Sequence, residues 1–337
     1  MKQIWRHLIP SILSLAFVWL STFFQYYFIY FLLFAANIFN VIWGEFSNEE
    51  IRKELKFFYQ SSKGSFIKII NAIVLAGMVF WGLYFVDTRS VHLIGFSITT
   101  GILTGCFIVT LAHDLLHSRN KAETVLSVLL LVTCGIPHFA ADHLCGHHRN
   151  IGLQKDATTA RLNESFYLYF FKITWSRLKN SFFTQFGLPM QIRKKIFRIN
   201  MGMLALSIAA WLMIWFLAEN PVPVLCYFII QGSVSYLLYE LINYIQHYGL
   251  VRRNSEDAIT LYQSWNCYYK YTNYILFLLP LHSLHHLPKG NRKIQNLKAG
   301  PKMPYLYFLM IALALVPPLW FRKMNALAVK NNNEHAA

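Results

Sequence analysis

Six apolar runs, joined alternately by long basic loops and short, nearly uncharged ones, restrict what this chain can fold into more than any other feature of it. A helix that crosses a bilayer needs roughly 17 to 25 mostly apolar residues. Runs of that kind lie at about 8–22, 25–43, 66–86, 91–111, 201–218 and 223–242, the first two separated only by Ser21, Thr22 and Gln25. Cytoplasmic loops are enriched in Lys and Arg. The basic groups here are Arg52, Lys53 and Lys56, then Arg119 to Arg198 with Arg193, Lys194 and Lys195, then Arg252 onward, and all fall on one face of the implied bilayer. The alternate connections, around Gln25, from Asp87 to His92 and at Glu219, Asn220 and Pro221, carry little charge. The expected fold is therefore all-α integral membrane: six transmembrane helices in three hairpins, plus interfacial helices, in a single membrane-embedded domain over 1–329. Both termini and the basic loops are expected to be cytoplasmic in a multi-pass protein of a bacterial inner membrane.

Composition supports this and excludes a rival. Of 337 residues, 55% are hydrophobic, more than a soluble domain usually carries. The net charge of +16 raises the question of nucleic acid, but the basic residues sit in short groups between apolar runs and form no continuous arm. We expect no nucleic-acid partner. Lys2 and Arg6 precede an apolar stretch with no small-residue cleavage site, so it reads as a retained anchor. The five cysteines are scattered without a C-x-x-C pair, which indicates neither a disulfide framework nor a thiolate metal site.

Two further apolar stretches are not expected to cross. Thr124 to Ala141 links two histidine groups, and a single crossing would put His117 and His143 about 30 Å apart on opposite sides of the bilayer. An interfacial or re-entrant helix fits better. Tyr305 to Phe321 is broken by Pro317 and Pro318 and closed by Arg322 and Lys323, which suggests an interfacial helix. The polar tail, Lys330 to Ala337, reads as disordered.

Nine of the thirteen histidines fall into four groups, all in the inferred cytoplasmic segments. They are His113 and His117 in HDLLH, His143, His147 and His148 in HLCGHH, His247 in NYIQHYGL, and His282, His285 and His286 in HSLHH. Residues three and four apart share a helix face, so each group aims its imidazoles at a common point. Clustered ionisable groups beside spanning helices are costly unless they are paired or bind something. Imidazole suits zinc, copper, iron or nickel, and nine ligands are too many for one ion. Two ions with five or fewer ligands each, leaving positions open, is the natural reading. The Glu and Glu-x-x-His pattern of soluble di-iron bundles is not present. His7, His92, His138 and His335 read as packing or interfacial residues.

AHDLLH, DHLCGHHRN, NYIQHYGLVRR and HSLHH together resemble the histidine boxes and signature of the membrane alkane monooxygenases, relatives of the membrane fatty-acid desaturases and of xylene monooxygenase. KDATTARLNESFY, Ser264–Asn266 (SWN) and ALVPPLWFRKM extend the likeness over about Leu111 to Met324. The resemblance implies that the nine histidines bind two iron ions. It further implies that O2 is co-substrate and that an unactivated C–H bond of a hydrophobic, lipid-phase substrate is hydroxylated. Metal-bound imidazoles usually donate their other N–H to a carboxylate or carbonyl. Asp114 and Asp142, where the family typically has glutamate, and Asp156, Glu164, Glu240, Asn243 and Gln246 are the polar residues placed for such support. The chain has no G-x-G-x-x-G and no cysteine set for an iron–sulfur centre, so electrons must come from outside. Rubredoxin or a ferredoxin-type donor, with its reductase, is what the resemblance implies.

The chain departs from the pattern at Gln246, which stands for a Glu, at Leu281 and Leu284, which stand for Arg and Asp, and at Gln263, which stands for a His. Glutamine before His247 resembles the branch that oxidises aromatic methyl groups. The alternatives are a fatty-acyl desaturase, against which NYIQHYGL argues, and a non-catalytic metal-binding membrane protein. A metal carrier should hold ionisable groups within its spans, whereas these histidines lie at span ends.

Overall fold

The computed structural model describes residues 2–24, 27–89, 92–118, 120–136, 143–182, 190–287 and 295–335, and the described residues are helical apart from loops and two isolated β-bridges. In chain order the helices are α1 (Lys2–His7), α2 (Ile9–Phe24), α3 (Phe28–Trp43), α4 (Asn48–Gln60), α5 (Ser62–Thr88) and α6 (Leu93–Leu116). After α7 (Lys121–Thr133), α8 is a π-helical turn, His143–His147, continued by His148–Asn150. Then come α9 (Phe166–Phe182), α10 (Met190–Leu217), α11 (Pro221–His247), α12 (Lys270–Ile275), α13 (His282–His286), α14 (Tyr307–Ala314) and α15 (Pro317–His335).

Among the described residues, four helices are long and apolar enough to cross a membrane: α5, α6, Phe197–Leu217 within α10, and α11. Each corresponds to an expected run. Two of them extend past the apolar residues to carry a histidine at the end, His113 in α6 and His247 in α11. The first two expected spans are different. α2 and α3 have 16 residues each, a rise of about 24 Å, which falls short of a hydrocarbon core of about 30 Å.

Helix α6 is the centre of the bundle: 72% of its apolar window is buried, against 17% for the window in α10. It packs on α11 through small residues. A Cβ on Gly101 would lie 2.6 Å from Val234 Cβ, and one on Gly105 3.2 Å from the Ser235 Cα. Close backbones of this kind are how helices associate where no water drives them together. Thr104 Oγ1 donates to Gln231 Oε1 at 3.1 Å across the same contact. Thr104–Val109 of α6 is a π-helical stretch, which rotates the terminal turn bearing His113 and His117 relative to the membrane part of the helix.

The link through α7 does not separate its flanking histidines. α7 has 13 residues, about 20 Å of rise, and the chain turns back at Gly135, whose φ is +69°. Its far side reaches His143, whose Nε2 is 3.0 Å from that of His117. The stretch from Tyr305 breaks as expected at its prolines, with α14 and α15 meeting at 120°.

The polar tail is helical over its described residues. Lys330 to His335 continues α15, because its amides find backbone partners. Asn332 Nδ2 donates to the Gly249 carbonyl at 2.8 Å, Asn331 Nδ2 donates to that of Tyr262, and His335 stacks on Tyr262 at 3.7 Å. His7 is a packing residue: it is fully buried, stacks on Phe58 and meets Glu54 Oε2 at 2.9 Å. His92 caps α6 through Nδ1, and His138 lies outside the described residues.

Candidate metal centre

Four segments bring the nine histidines together. Their ligand atoms form two sets, each with all nitrogens within 4.8 Å of one another: His113, His117, His143, His148 and His285, and then His147, His247, His282 and His286. Each set draws on three or more segments. The expectation that a box points all its imidazoles at one place therefore holds only for HDLLH; HLCGHH and HSLHH are divided between the sets.

Local helix type explains the division. In HDLLH and HSLHH the backbone is α-helical, and the i,i+4 pairs His113/His117 and His282/His286 stay together. His143–His147 is a π-helix, whose repeat is longer, so His143 shares a set with His148, five residues on, while His147 turns to the other.

The imidazoles approach through Nε2. His143 Nε2 lies 3.0 Å from both His117 Nε2 and His148 Nε2, and His282 Nε2 lies 2.9 Å from His247 Nε2 and 3.0 Å from His286 Nε2. Two nitrogens bound at right angles to an ion at about 2.1 Å stand about 3.0 Å apart, so these separations are those of neighbouring metal ligands. Hydrogen bonding alone does not satisfy them, because a neutral ring nitrogen offers either one proton or one lone pair. Burial, reinforced by the neighbouring imidazoles, holds His143, His148, His282, His285 and His286 well below the ordinary histidine pKa. The sets are thus converging lone pairs that suit a cation.

The Nδ1 side carries the decisive support. His147 Nδ1 donates to Asp156 Oδ2 at 2.9 Å, while its buried Nε2 has no hydrogen-bond partner among the described residues and faces the second set. A carboxylate on Nδ1 fixes the tautomer with the Nε2 lone pair free for a metal. Asp156 is itself held by Thr159 Oγ1 at 2.8 Å and the Thr158 N–H at 3.1 Å. Burial alone would raise the Asp156 pKa, but the adjacent His147 outweighs it and keeps the carboxyl below its usual range.

The other polar residues named from the sequence go elsewhere. Asp114 Oδ2 pairs with Lys68 Nζ at 2.8 Å. Glu164 accepts from the Arg161 N–H and from Lys172 Nζ. Asn243 Nδ2 donates to Glu240, which forms a buried ion pair with Arg177. Gln246 Nε2 donates to Tyr307 Oη at 3.0 Å. Asp142 lies outside the described residues.

The SWN and NYIQHYGL elements hold the histidine-bearing turns in place. Asn266 Oδ1 accepts the Ser283 N–H at 3.0 Å and Asn266 Nδ2 donates to Ser283 Oγ at 2.6 Å, which clamps α13 beside His282. The Trp265 N–H donates to the Gln246 carbonyl, and Trp265 Nε1 donates to that of Tyr248, which brackets His247. Tyr244 Oη reaches the Glu164 carbonyl at 2.7 Å, and Trp320 packs on Tyr244 and Tyr248. Asn266→Ala leaves the buried Ser283 N–H without its acceptor, at a cost of about 1–3 kcal/mol. It is expected to lower the unfolding midpoint in detergent and to weaken metal binding, both measurable on one purified sample.

A cavity of about 1050 Å³ opens onto the first set, with His117, His148, His285 and His286 in one wall and Leu281 and Leu284 beside them. Both positions at which the third box departs from the family pattern therefore line this space with apolar surface.

The sequence model for fatty acid desaturases matches residues 89–290, a stretch that holds all nine histidines. This chain belongs to the fatty acid desaturase family. Within it, the chain is 30% identical to alkane 1-monooxygenase 2 of Alcanivorax borkumensis over 248 residues, 69% of this chain and 63% of that protein. It is 30% identical to alkane 1-monooxygenase 1 of Pseudomonas aeruginosa over 272 residues, 75% and 67% of the two. The xylene/toluene monooxygenase hydroxylase component of Pseudomonas putida is 26% identical over 231 residues, 65% and 60% of the two. The chain thus spans a little under two thirds of the first relative's length. Family membership together with the two histidine sets makes this a candidate metal site, and Lys68, which lies inside an apolar run of the sequence, belongs to its surroundings.

Proposed function

We propose that this chain is a membrane non-haem di-iron monooxygenase that hydroxylates an unactivated C–H bond of a hydrophobic substrate, an alkane or related alkyl or aromatic-methyl compound. The observation that carries the reading is the division of nine imidazoles into a five-nitrogen and a four-nitrogen set in a chain 30% identical to named alkane 1-monooxygenases. A single closed zinc site would need only four ligands. Two iron ions in these sets, with O2, would supply oxidation of the C–H bond to an alcohol.

The residues of the chain do the positioning. Asp156 holds His147 with its Nε2 lone pair toward the second set, and Asn266 fixes the turn that carries His282, His285 and His286. Leu281 and Leu284 keep the cavity wall beside His285 apolar, which favours an alkyl chain over water there. The substrate enters from the lipid phase. Two electrons per turnover come from a rubredoxin or ferredoxin-type donor and its reductase, steered to the basic loops by their charge. In this reading α2 and α3, though shorter than the hydrocarbon core is thick, cross where the bilayer thins locally and complete three hairpins, for six crossings, α14 and α15 lie at the interface, and the histidine sets and both termini face the cytoplasm of a bacterial inner membrane.

Detergent-purified protein is expected to contain about two irons per chain, since imidazole sets of five and four leave room for no more. Supplied with a rubredoxin or ferredoxin system and with octane or a xylene, it is expected to give an oxygenated product by mass spectrometry. An alkene product would place the chain with the desaturases, and stoichiometric zinc with no product would remove the oxygenase reading.

A further inference from the structure

Lys68 lies in the N-terminal third of α5, seven positions into a helix otherwise apolar enough to cross a membrane, and is 5% exposed. An ionisable residue in such a helix is expensive and marks a function more often than not. Its Nζ meets Asp114 Oδ2 at 2.8 Å and lies 4.6 Å and 4.9 Å from the centres of the Phe58 and Tyr59 rings, so it joins α4, α5 and α6. It also lines the cavity that opens on the first histidine set.

The partner's location gives the pair its meaning. Asp114 sits in the last turn of α6 between His113 and His117, and its carbonyl accepts the His117 N–H at 3.2 Å. His117 is the C-cap of that helix, with φ −87° and ψ 2°, and a helix end left to itself frays. One turn before Lys68 on α5, Ser65 donates to Glu123 in the first turn of α7. α5 therefore grips both helices that flank the first histidine box, and the grip on α6 is an ion pair with direction, which apolar packing lacks. No comparable cation touches Asp156 among its described contacts; there the carboxylate bonds the ligand His147 itself.

We propose that Lys68 is a positioning residue for the five-histidine set: it holds Asp114, and through Asp114 the terminal turn of α6, so that His113 and His117 meet His143, His148 and His285. The inference rests on the two-ion reading above. It makes one set depend on Lys68 and leaves the other independent of it.

The test uses the full chain, purified in detergent and loaded with iron(II) without oxygen, with iron per chain and thermal unfolding as readouts. Lys68→Met is expected to fall from about two irons to about one, and Lys68→Arg to regain the second, because a guanidinium can renew the ion pair. Adding Lys68→Met to His282→Ala is expected to remove the remaining iron, whereas adding it to His143→Ala is expected to change nothing. The double variant Lys68→Met with Asp114→Leu separates positioning from folding, because replacing a whole buried ion pair by apolar residues is often neutral for stability. It is expected to recover the unfolding midpoint without recovering the second iron. Two irons retained in Lys68→Met, both lost, or two restored in the double variant would each overturn the proposal. Wild-type protein that never binds two irons would instead overturn the di-iron reading on which it rests.

Discussion

Alanine at His143 or at His282 is expected to abolish product formation, and each substitution to empty one metal position while leaving the other filled. These two residues are the hubs of their sets. His143 Nε2 stands 3.0 Å from two other ligand nitrogens, and His282 Nε2 stands 2.9 and 3.0 Å from two. Removing a hub takes away a ligand and also the ring against which its neighbours are set. The loss should exceed the roughly 10–100-fold that follows removal of an outer hydrogen-bonding partner such as Asp156. Iron per chain and product yield, measured on the same preparations, check this. Turnover above a tenth of wild type in either variant would sink the ligand assignment, and loss of both irons from either would show that the sets do not fill independently.

The largest expected effect on stability comes from Arg177→Met. Arg177 is 1% exposed and Glu240 fully buried, and Nε meets Oε1 at 2.8 Å. Tyr239, Tyr169 and Asn243 complete the group through bonds to Arg177 or Glu240 at 3.2 to 3.5 Å. The pair fastens α9 to α11, the helix that ends in His247. Removing the guanidinium leaves a carboxylate buried without its counter-charge, at a cost of about 3–5 kcal/mol. Chemical unfolding in detergent should show it, and Arg177→Met combined with Glu240→Leu should recover most of the loss. A single variant less than about 1 kcal/mol below wild type would mean that water reaches Glu240 and that the pair is not a fastening.

The comparison of Asp156 with Glu164 shows where sequence reasoning stops. Both are carboxylates just after the second histidine box. Asp156 lies in a turn tied by Gly152, whose φ is +77° and whose N–H donates to Thr159 Oγ1, and that turn folds it back on His147. Glu164 lies two residues before α9 and bonds Lys172 and the Arg161 N–H. Nothing in the order of residues separates these outcomes, because the turn's direction is set by what it packs against. Lys68 was hidden for a related reason: its partner is on another helix, and in the sequence it interrupts an apolar run without sign of one. The anchoring of the tail's described residues is hidden for the same reason, since the carbonyls of Gly249 and Tyr262 that they meet are distant in the chain.

What the sequence by itself determined is whatever repeats locally. The runs that form α5, α6, α10 and α11 follow from length and hydropathy, and the histidine spacing follows from helix periodicity, so both were legible without a structure. Only the tertiary structure decided how the nine imidazoles divide. A π-helical turn at His143–His147 sends His143 and His147 to different sets, and α13 gives His285 to one and His282 and His286 to the other. A metal position is assembled between segments, and its membership depends on how the helices cross and rotate against one another, which no single stretch of sequence contains.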